Sequence, residues 1–391
     1  MACLILAGGD ASRLGLNMPK GMFDPHIHGL HSIFELITLK IKIMNEICEK
    51  AFPDLPDLGR DRVVLVIMTN LENFKRITEF FKENKNFGYN TIIFFPQNHL
   101  PVTSEKGEIL FKSKGKILFA PNGNGSIFQS KNGVKMFAKL QELGVEHVQI
   151  TGVDNILCKW AEPDMVGCAK SSNKDVTCKY SAKKHALERV GVFALADGVP
   201  SIIEYSVIGD ELAQSKTASG ELQFNHSNLL NFLFKLQFLQ ETVLSKEGVK
   251  IFFERYNVAV KDVKNYCPVK NEELVTKAIK YEVFINECLG LCTADHFSLI
   301  EVNRDQEFAP IKNSLTQEFD NPHTALDLYT RYHQHLLTQA GYKFSEEASH
   351  EKGCFIHPNL SYDGEGIPKA QEGKIYELPF YLDSTDEQKT N

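Results

Sequence analysis

The sequence predicts an α/β protein: a doubly wound, mostly parallel sheet with helices on both faces, followed by a small β-rich C-terminal region. Three observations predict it. Short apolar runs alternate with amphipathic helical stretches through the first half. The first run ends directly in a glycine pair, Gly8-Gly9. After about residue 345 the composition turns to short polar, β-like segments rich in Gly and Pro, as in YDGEGIPKAQEGKIYELPFYL.

Cys3 to Ala7 is the first buried strand, read from an unbroken apolar run too short for a helix. Ser32 and Glu35 have capping-box spacing, and Ile33, Ile37, Ile41, Met44 and Cys48 then trace one face of a helix. Val63 to Met68 is the second strand. Thr69 and Glu72 are expected to cap a helix reaching about Asn84. Thr91 to Phe95 is the third strand and ends at Pro96-Gln97. GEILFKSKGKILF, with Lys-Gly at its centre, predicts a hairpin. The glycine cluster Asn122 to Gly125 leads into a helix to about Leu143, and His147 to Thr151 is a strand running into Gly152-Val153-Asp154-Asn155. Further strands are expected at Val176–Tyr180, Val190–Leu195 and Ile202–Tyr205. Helices are expected to dominate from about 226 to 290 and again from 321 to 340. The closing STDEQKTN is expected to fray.

With 391 residues, 43% of them apolar, the chain can bury a large core. The net charge of −7 and the lack of a long basic run exclude nucleic acid as the main partner. No apolar run is long enough to span a bilayer, so no membrane partner is expected. The opening MACLILAGGDASRLG does not read as a secretory leader, and the nine scattered cysteines contain no CxxC pair; a cytoplasmic protein is expected. His26, His28 and His31 invite a metal reading, but no carboxylate or cysteine cluster completes the set, so a surface loop is expected. Trp160 reads as core.

Glycines placed directly after a first strand let a ligand's phosphates approach the backbone. Leu6-Ala7-Gly8-Gly9-Asp10-Ala11-Ser12-Arg13-Leu14-Gly15 lacks the GxGxxG of a dinucleotide fold and the GK[ST] of a P-loop. It carries its own cations instead, Arg13 in the loop and Lys20 beyond Pro19. Arg13 can fork onto two phosphate oxygens, while Lys20 acts as a point charge. Such a pair suits a triphosphate whose charge shifts during transfer.

LAGGDASRLGLNMPKGMFD resembles the signature of the sugar-nucleotide pyrophosphorylases, and PKGMFD resembles that of the eukaryotic UDP-N-acetylglucosamine pyrophosphorylases. The resemblance continues in order through FFPQ, APNGNGS, GVDNIL, VGVF, IIEYS, FNHSN, FAPIKN and DNPHTA to LSYDGEG at 360–366, covering nearly the whole chain. It implies a fold of the nucleotide-diphospho-sugar transferase type, with a catalytic domain over 1–343 and a small β-rich domain over 344–391. It also implies transfer of uridylate from UTP to N-acetylglucosamine 1-phosphate, with Mg2+ or Mn2+ as cofactor.

Residue by residue, the resemblance implies that Leu6, Ala7, Gly8 and Gly9 hold the uracil and ribose side of UTP. Gln97 and Gly123 would read the base. Arg13 and Lys20 would face the phosphates, and Asp154 would sit by them and place the metal. Lys277 and Tyr281 would lie on a further helix near the nucleotide. Asn124, Gly191, Glu204, Tyr205 and Asn228 would bind the sugar, and Lys312 its phosphate.

Three departures stand out. Ala11 replaces a loop glycine, which predicts a shifted loop or a slower enzyme, because a side chain restricts φ. Asp10 brings a carboxylate near the phosphates. Val283-Phe284 stands where the family tends to show an aromatic followed by an acid, on the sugar-side wall. The rival readings are the same chemistry on a UDP-glucose or UDP-galactose substrate, and a silent regulator that binds a nucleotide sugar. Gly21-Met22-Phe23 argues against the first, and Arg13, Lys20, Asp154 and Lys312 together argue against the second.

Overall fold

Four apolar strands form the parallel heart of the molecule: β1 (Ala2–Leu6), β2 (Val64–Thr69), β3 (Ile92–Pro96) and β4 (His147–Gly152), in the order β3-β2-β1-β4. The computed structural model describes residues 1–383, so the expected frayed tail, STDEQKTN, lies outside the described residues. β1 is buried along its whole length because both of its faces are covered. Leu4, Val64 and Val66 pack on one side with Ile127, Phe137 and Phe232. Cys3, Ile5, Leu65 and Ile67 pack on the other with Ile37, Ile41 and Tyr329. Period-two alternation thus feeds two cores from one strand.

Helices α1 (Ile33–Ala51), α2 (Phe74–Glu83) and α3 (Lys131–Glu142) connect these strands, in keeping with the expected pattern. The start of α1 differs in detail. Ser32 Oγ accepts from Glu35 N at 3.0 Å, but the Glu35 carboxylate accepts from His31 N rather than from Ser32. The expected cap of α2 is overturned. The helix begins at Phe74, and the Asn70 side chain accepts from Asn73 N at 2.6 Å in place of a Thr69–Glu72 pair.

Beyond β4 and the short helix α4 (Pro163–Ser171), the sheet grows through β5 (Val176–Ala182), β6 (Val192–Ala196), β7 (Val199–Ile203) and β8 (His226–Lys235) to eight of its nine strands. β8 lies between β4 and β5, antiparallel to both. The helical reading of 226–290 is therefore wrong over much of its length. Helix is confined to 236–254, ending in α5 (Lys246–Glu254), and to a 3-10 segment at Ile285–Leu291. A long antiparallel hairpin lies between them, β9 (Asn257–Cys267) and β10 (Glu272–Glu282), paired from Asn257↔Glu282 to Cys267↔Glu272. It forms the centre of a second sheet with Thr103–Ser104, Phe111–Ser113 and Lys116–Ile117. The last two are the hairpin predicted around Lys114-Gly115, with Gly115 at φ 72.

β11 (Phe297–Glu301) completes the main sheet beside β5, so only β7 and β8 run against the rest. Helix α6 (Pro322–Gln339) starts from a full capping box between Asn321 and Thr324. The C-terminal region packs on its far end. Lys343–Phe344 pairs with Ile375–Tyr376 and Cys354–Ile356 with Phe380–Leu382, around Leu336, Leu337 and Tyr342. Two contacts tie this region back to the main body: Lys159 Nζ lies 2.6 Å from Asp363 Oδ2, and Tyr362 OH donates to Trp160 O at 2.8 Å. Trp160 itself is buried, as expected. Among the described residues no helix is long and apolar enough to cross a membrane.

Candidate active site

The C-terminal ends of β1, β2, β3 and β4 open into one cleft of about 690 Å3, where open α/β sheets bind ligands. Its floor is the glycine loop. Asp10 and Pro19 bridge across the loop, Ala11 N donates to Met18 O at 2.9 Å, and Lys20 N donates to Gly9 O at 3.2 Å. Ala11 is buried at the start of a one-turn helix, Ala11–Leu14, and the residue with left-handed backbone is Gly15, at φ 77. The φ restriction imposed by Ala11 causes no left-handed strain, because the positive φ of this loop falls on Gly15. Asp10 also lines the cleft, with one carboxylate oxygen held by the Asn73 amide. Arg13 lines it too, exposed and without an ion pair among the described residues.

At the far end of β1 the backbone of Gly8 lies under the buried Gln97 side chain. A Cβ on Gly8 would stand 2.6 Å from Gln97 Nε2, so any side chain there would displace the Gln97 carboxamide. Leu6 lines the cleft beside them, and Ala7 is buried beneath, its N–H donating to Met68 O at 2.8 Å. Gly123 faces the same space at φ 88, and a Cβ there would meet Val283 O at 2.2 Å. Val283 and Phe284 therefore hold the glycine segment by main-chain contact. Gly125 N donates to Val283 O at 3.0 Å, and Ile285 N donates to Asn124 Oδ1 at 2.9 Å. Among the described residues the Asn124 amide N–H groups donate no hydrogen bond, and Asn124 lines the cleft.

Asp154 stands at the centre. Its Oδ2 lies 3.3 Å from Lys20 Nζ, with the two side chains 23% and 15% exposed. Burial alone would raise this carboxyl, but Lys20 and then Lys312 outweigh it and hold Asp154 below the usual carboxylate range. Next to it, the buried Asn155 joins two distant segments. Its Oδ1 accepts from Ala309 N at 2.9 Å and Leu157 N at 3.2 Å, and its amide donates to Glu307 O at 2.7 Å. Ile311 N also donates to Asp154 O at 2.9 Å, which seats FAPIKN beside Asp154. Asn155→Ala should cost about 2–4 kcal/mol, because buried backbone groups lose their partners. Urea denaturation would measure it.

The predicted sugar-side residues gather past Asp154. A Cβ on Gly191 would come within 3.3 Å of Glu204 Oε1, and Asn228 N donates to Gly191 O at 2.8 Å. Burial first, then Glu287, raises the Glu204 carboxyl, while Lys312 pulls it back. Lys312 Nζ lies 5.3 Å from the centroid of the Phe308 ring, and its N–H donates to Asp320 O at 2.7 Å. Tyr205 is 50% exposed at the start of a single helical turn, without a hydrogen-bond partner among the described residues.

Lys277 is not part of this arrangement. The segment is strand β10, not a helix, and Lys277 is exposed on the face opposite Ala278 and Lys280. Lys280 lines the cleft in its place, together with Lys261 of β9. Sequence reading also missed Asn70, whose amide fixes Gly8 O at 2.8 Å, and Asn155 as a clamp. A polar residue at a strand's C-terminal end was the available signal for both. The histidines of HIHGLH are exposed, and His28 stacks on Tyr381 at 3.7 Å between centroids. No cluster of three or more His, Cys, Asp or Glu suited to a metal occurs among the described residues.

A doubly wound, mostly parallel sheet with a cation-bearing glycine loop at its strand ends defines a nucleotide-diphospho-sugar transferase. The chain belongs to the family described as UTP–glucose-1-phosphate uridylyltransferase, which it matches over residues 1–345. It is 30% identical to UDP-N-acetylhexosamine pyrophosphorylase-like protein 1 of Xenopus tropicalis, over 99% of this chain and 77% of that protein. It is 29% identical to the UDP-N-acetylglucosamine pyrophosphorylase of Saccharomyces cerevisiae, over 96% of this chain and 77% of the yeast protein. The solved UDP-N-acetylglucosamine pyrophosphorylase of Trypanosoma brucei, in complex with inhibitor, superposes with a TM-score of 0.79 at 29% identity, covering 93% of this chain and 74% of that one.

Proposed function

We propose that this chain joins UTP to N-acetylglucosamine 1-phosphate and releases pyrophosphate. One observation carries the reading: Gly8, Gln97, Lys20 and Asp154 line one cleft, and Lys312 acts on both Asp154 and Glu204, which lies against Gly191. That grouping matches base, phosphates and sugar in the product. The names of the yeast and trypanosomal relatives supply the sugar. An oxygen of the sugar phosphate attacks the α-phosphorus of UTP, the bond to the β-phosphate oxygen breaks, and pyrophosphate leaves with that electron pair. No nucleophilic side chain is required, because the incoming phosphate is already ionised at neutral pH. Arg13 and Lys20 offset charge on the transferring and leaving groups, and Lys312 lowers the repulsion between the two anions.

Asp154 fits a hard divalent cation, Mg2+ or Mn2+. It is held ionised by two lysines, only Oδ2 is engaged with Lys20, and phosphate oxygens would complete the shell. Such an ion supplies further positive charge at the α-phosphate. We take residues 1–343 as the catalytic unit and 344–391 as a small appended one, supported by the separate apolar cluster at the end of α6. Nine free cysteines favour the cytosol as the working compartment.

Substrate choice is the test. With UTP and Mg2+ in a pyrophosphate-release assay, kcat/KM for N-acetylglucosamine 1-phosphate should exceed that for glucose 1-phosphate by at least about tenfold. Comparable values for the two sugars would overturn the choice of sugar.

A further inference from the structure

Lys20 is held by a carboxylate, but Lys312 has no ion-pair partner among the described residues. What its ammonium meets is a ring. Nζ lies over Phe308, 5.3 Å from the centroid, inside the reach of about 6 Å for a cation–π contact. The ring itself is fixed. Phe308 is buried, its N–H donates to Arg304 O at 2.8 Å, and the next residue, Ala309, is tied to Asn155. The Arg304 guanidinium lies over the same ring, its central carbon 4.9 Å from the centroid. That guanidinium is anchored in turn: Nη1 donates to Ser181 Oγ at 3.3 Å, and Nη2 pairs with the largely buried Glu188. The main chain at Lys312 is set by its N–H on Asp320 O, so the side-chain torsions are the freedom left to it. The electron-rich face of an aromatic ring attracts an ammonium without neutralising it. A carboxylate in that place would cancel the charge an incoming phosphate needs.

We infer that Phe308 is a positioning residue: its ring, steadied by Arg304, holds the Lys312 ammonium ready for the phosphate that carries the sugar. Phe308 has no polar atom to offer a reactant, so it acts through Lys312. The inference rests on the functional reading above, which gives Lys312 that phosphate.

Replacing Phe308 by mono-, di- and trifluorinated phenylalanine withdraws electron density from the ring face with little change of shape. Isothermal titration calorimetry with UDP-N-acetylglucosamine and with UMP then tests the contact without turnover. Affinity for UDP-N-acetylglucosamine should fall stepwise, by about threefold to tenfold over the series. Affinity for UMP, which lacks the sugar and its phosphate, should stay within about twofold, and the melting temperature should hold. In a Lys312→Ala background the same series should be flat, because the cation that reads the ring is gone. A fall that persists in that background would assign the effect to Arg304 or to packing and overturn the inference. So would an affinity for UDP-N-acetylglucosamine that stays level or rises along the series, or an equal loss for UMP; each leaves the functional reading standing. Unmodified protein that bound UMP but discriminated against UDP-N-acetylglucosamine, or bound neither, would overturn both.

Discussion

Lys20→Ala should lower kcat by about two to three orders of magnitude, comparable with removing an oxyanion donor. Its backbone is held by Lys20 N–H donating to Gly9 O, and its ammonium meets Asp154 Oδ2 at 3.3 Å. A cation held in place before the reaction costs no reorganisation when charge moves onto the leaving pyrophosphate. Alanine also leaves Asp154 with Lys312 as its remaining neighbouring cation, beside the phosphates. If Glu204 meets sugar groups that do not change in the reaction, as proposed, Glu204→Ala should mainly raise KM for the sugar phosphate and spare KM for UTP. Lys312→Ala should affect both parameters, because it meets an anion present in ground and transition state alike. Steady-state kinetics of the three variants, with circular dichroism as a folding check, reads all of this. A near-normal kcat in Lys20→Ala, with abolished kcat in Glu204→Ala, would reverse the assignment of phosphate and sugar sides.

UTP should outperform ATP and GTP by about three orders of magnitude in kcat/KM. Gln97 is buried against Gly8 and offers both a donor and an acceptor, the pair a pyrimidine edge requires. Its backbone is held by Gln97 N donating to Thr69 O at 2.7 Å, and the carboxamide is buried against Gly8. A mismatched base leaves those buried polar atoms unpaired, which is where the discrimination comes from. Gln97→Ala should lose most of its activity with UTP and so narrow the ratio. Equal turnover of ATP by the unmodified protein would remove the uridine assignment and the role of Gln97 together.

Much of this site was legible in the residues themselves. The apolar runs of β1 to β4, the glycine pair that ends β1 and the cations at 13 and 20 depend on local pattern, and local pattern is what a sequence records. FAPIKN and GVDNIL could be recognised as separate motifs. That Asn155 clamps one to the other across 154 positions of chain could not, because a hydrogen bond between distant segments leaves no periodic trace.

The stretch from 226 to 290 shows the limit most clearly. HSNLLNFLFK is apolar with no clear alternation because β8 is buried on both faces, and such a run cannot be told from a buried helix by period. EELVTKAIKYE is rich in Glu, Lys and Ala, which favour helix, and its turn carries no Asn-Gly signal; Asn271, at φ 56, makes the bend. Pairing with β9 and packing of Ala278 on Val102 and Leu110 overrode that preference. The sequence by itself determined the parallel heart, the glycine loop and the chemistry of its cations. Tertiary structure decided the hairpin, placed Lys280 rather than Lys277 over the cleft, and gave the left-handed turn to Gly15 rather than to Ala11. The physical reason is the same in each case: strand pairing and side-chain burial are set by segments far apart in the chain, and their free energy exceeds the few tenths of a kcal/mol, roughly, by which local propensities differ.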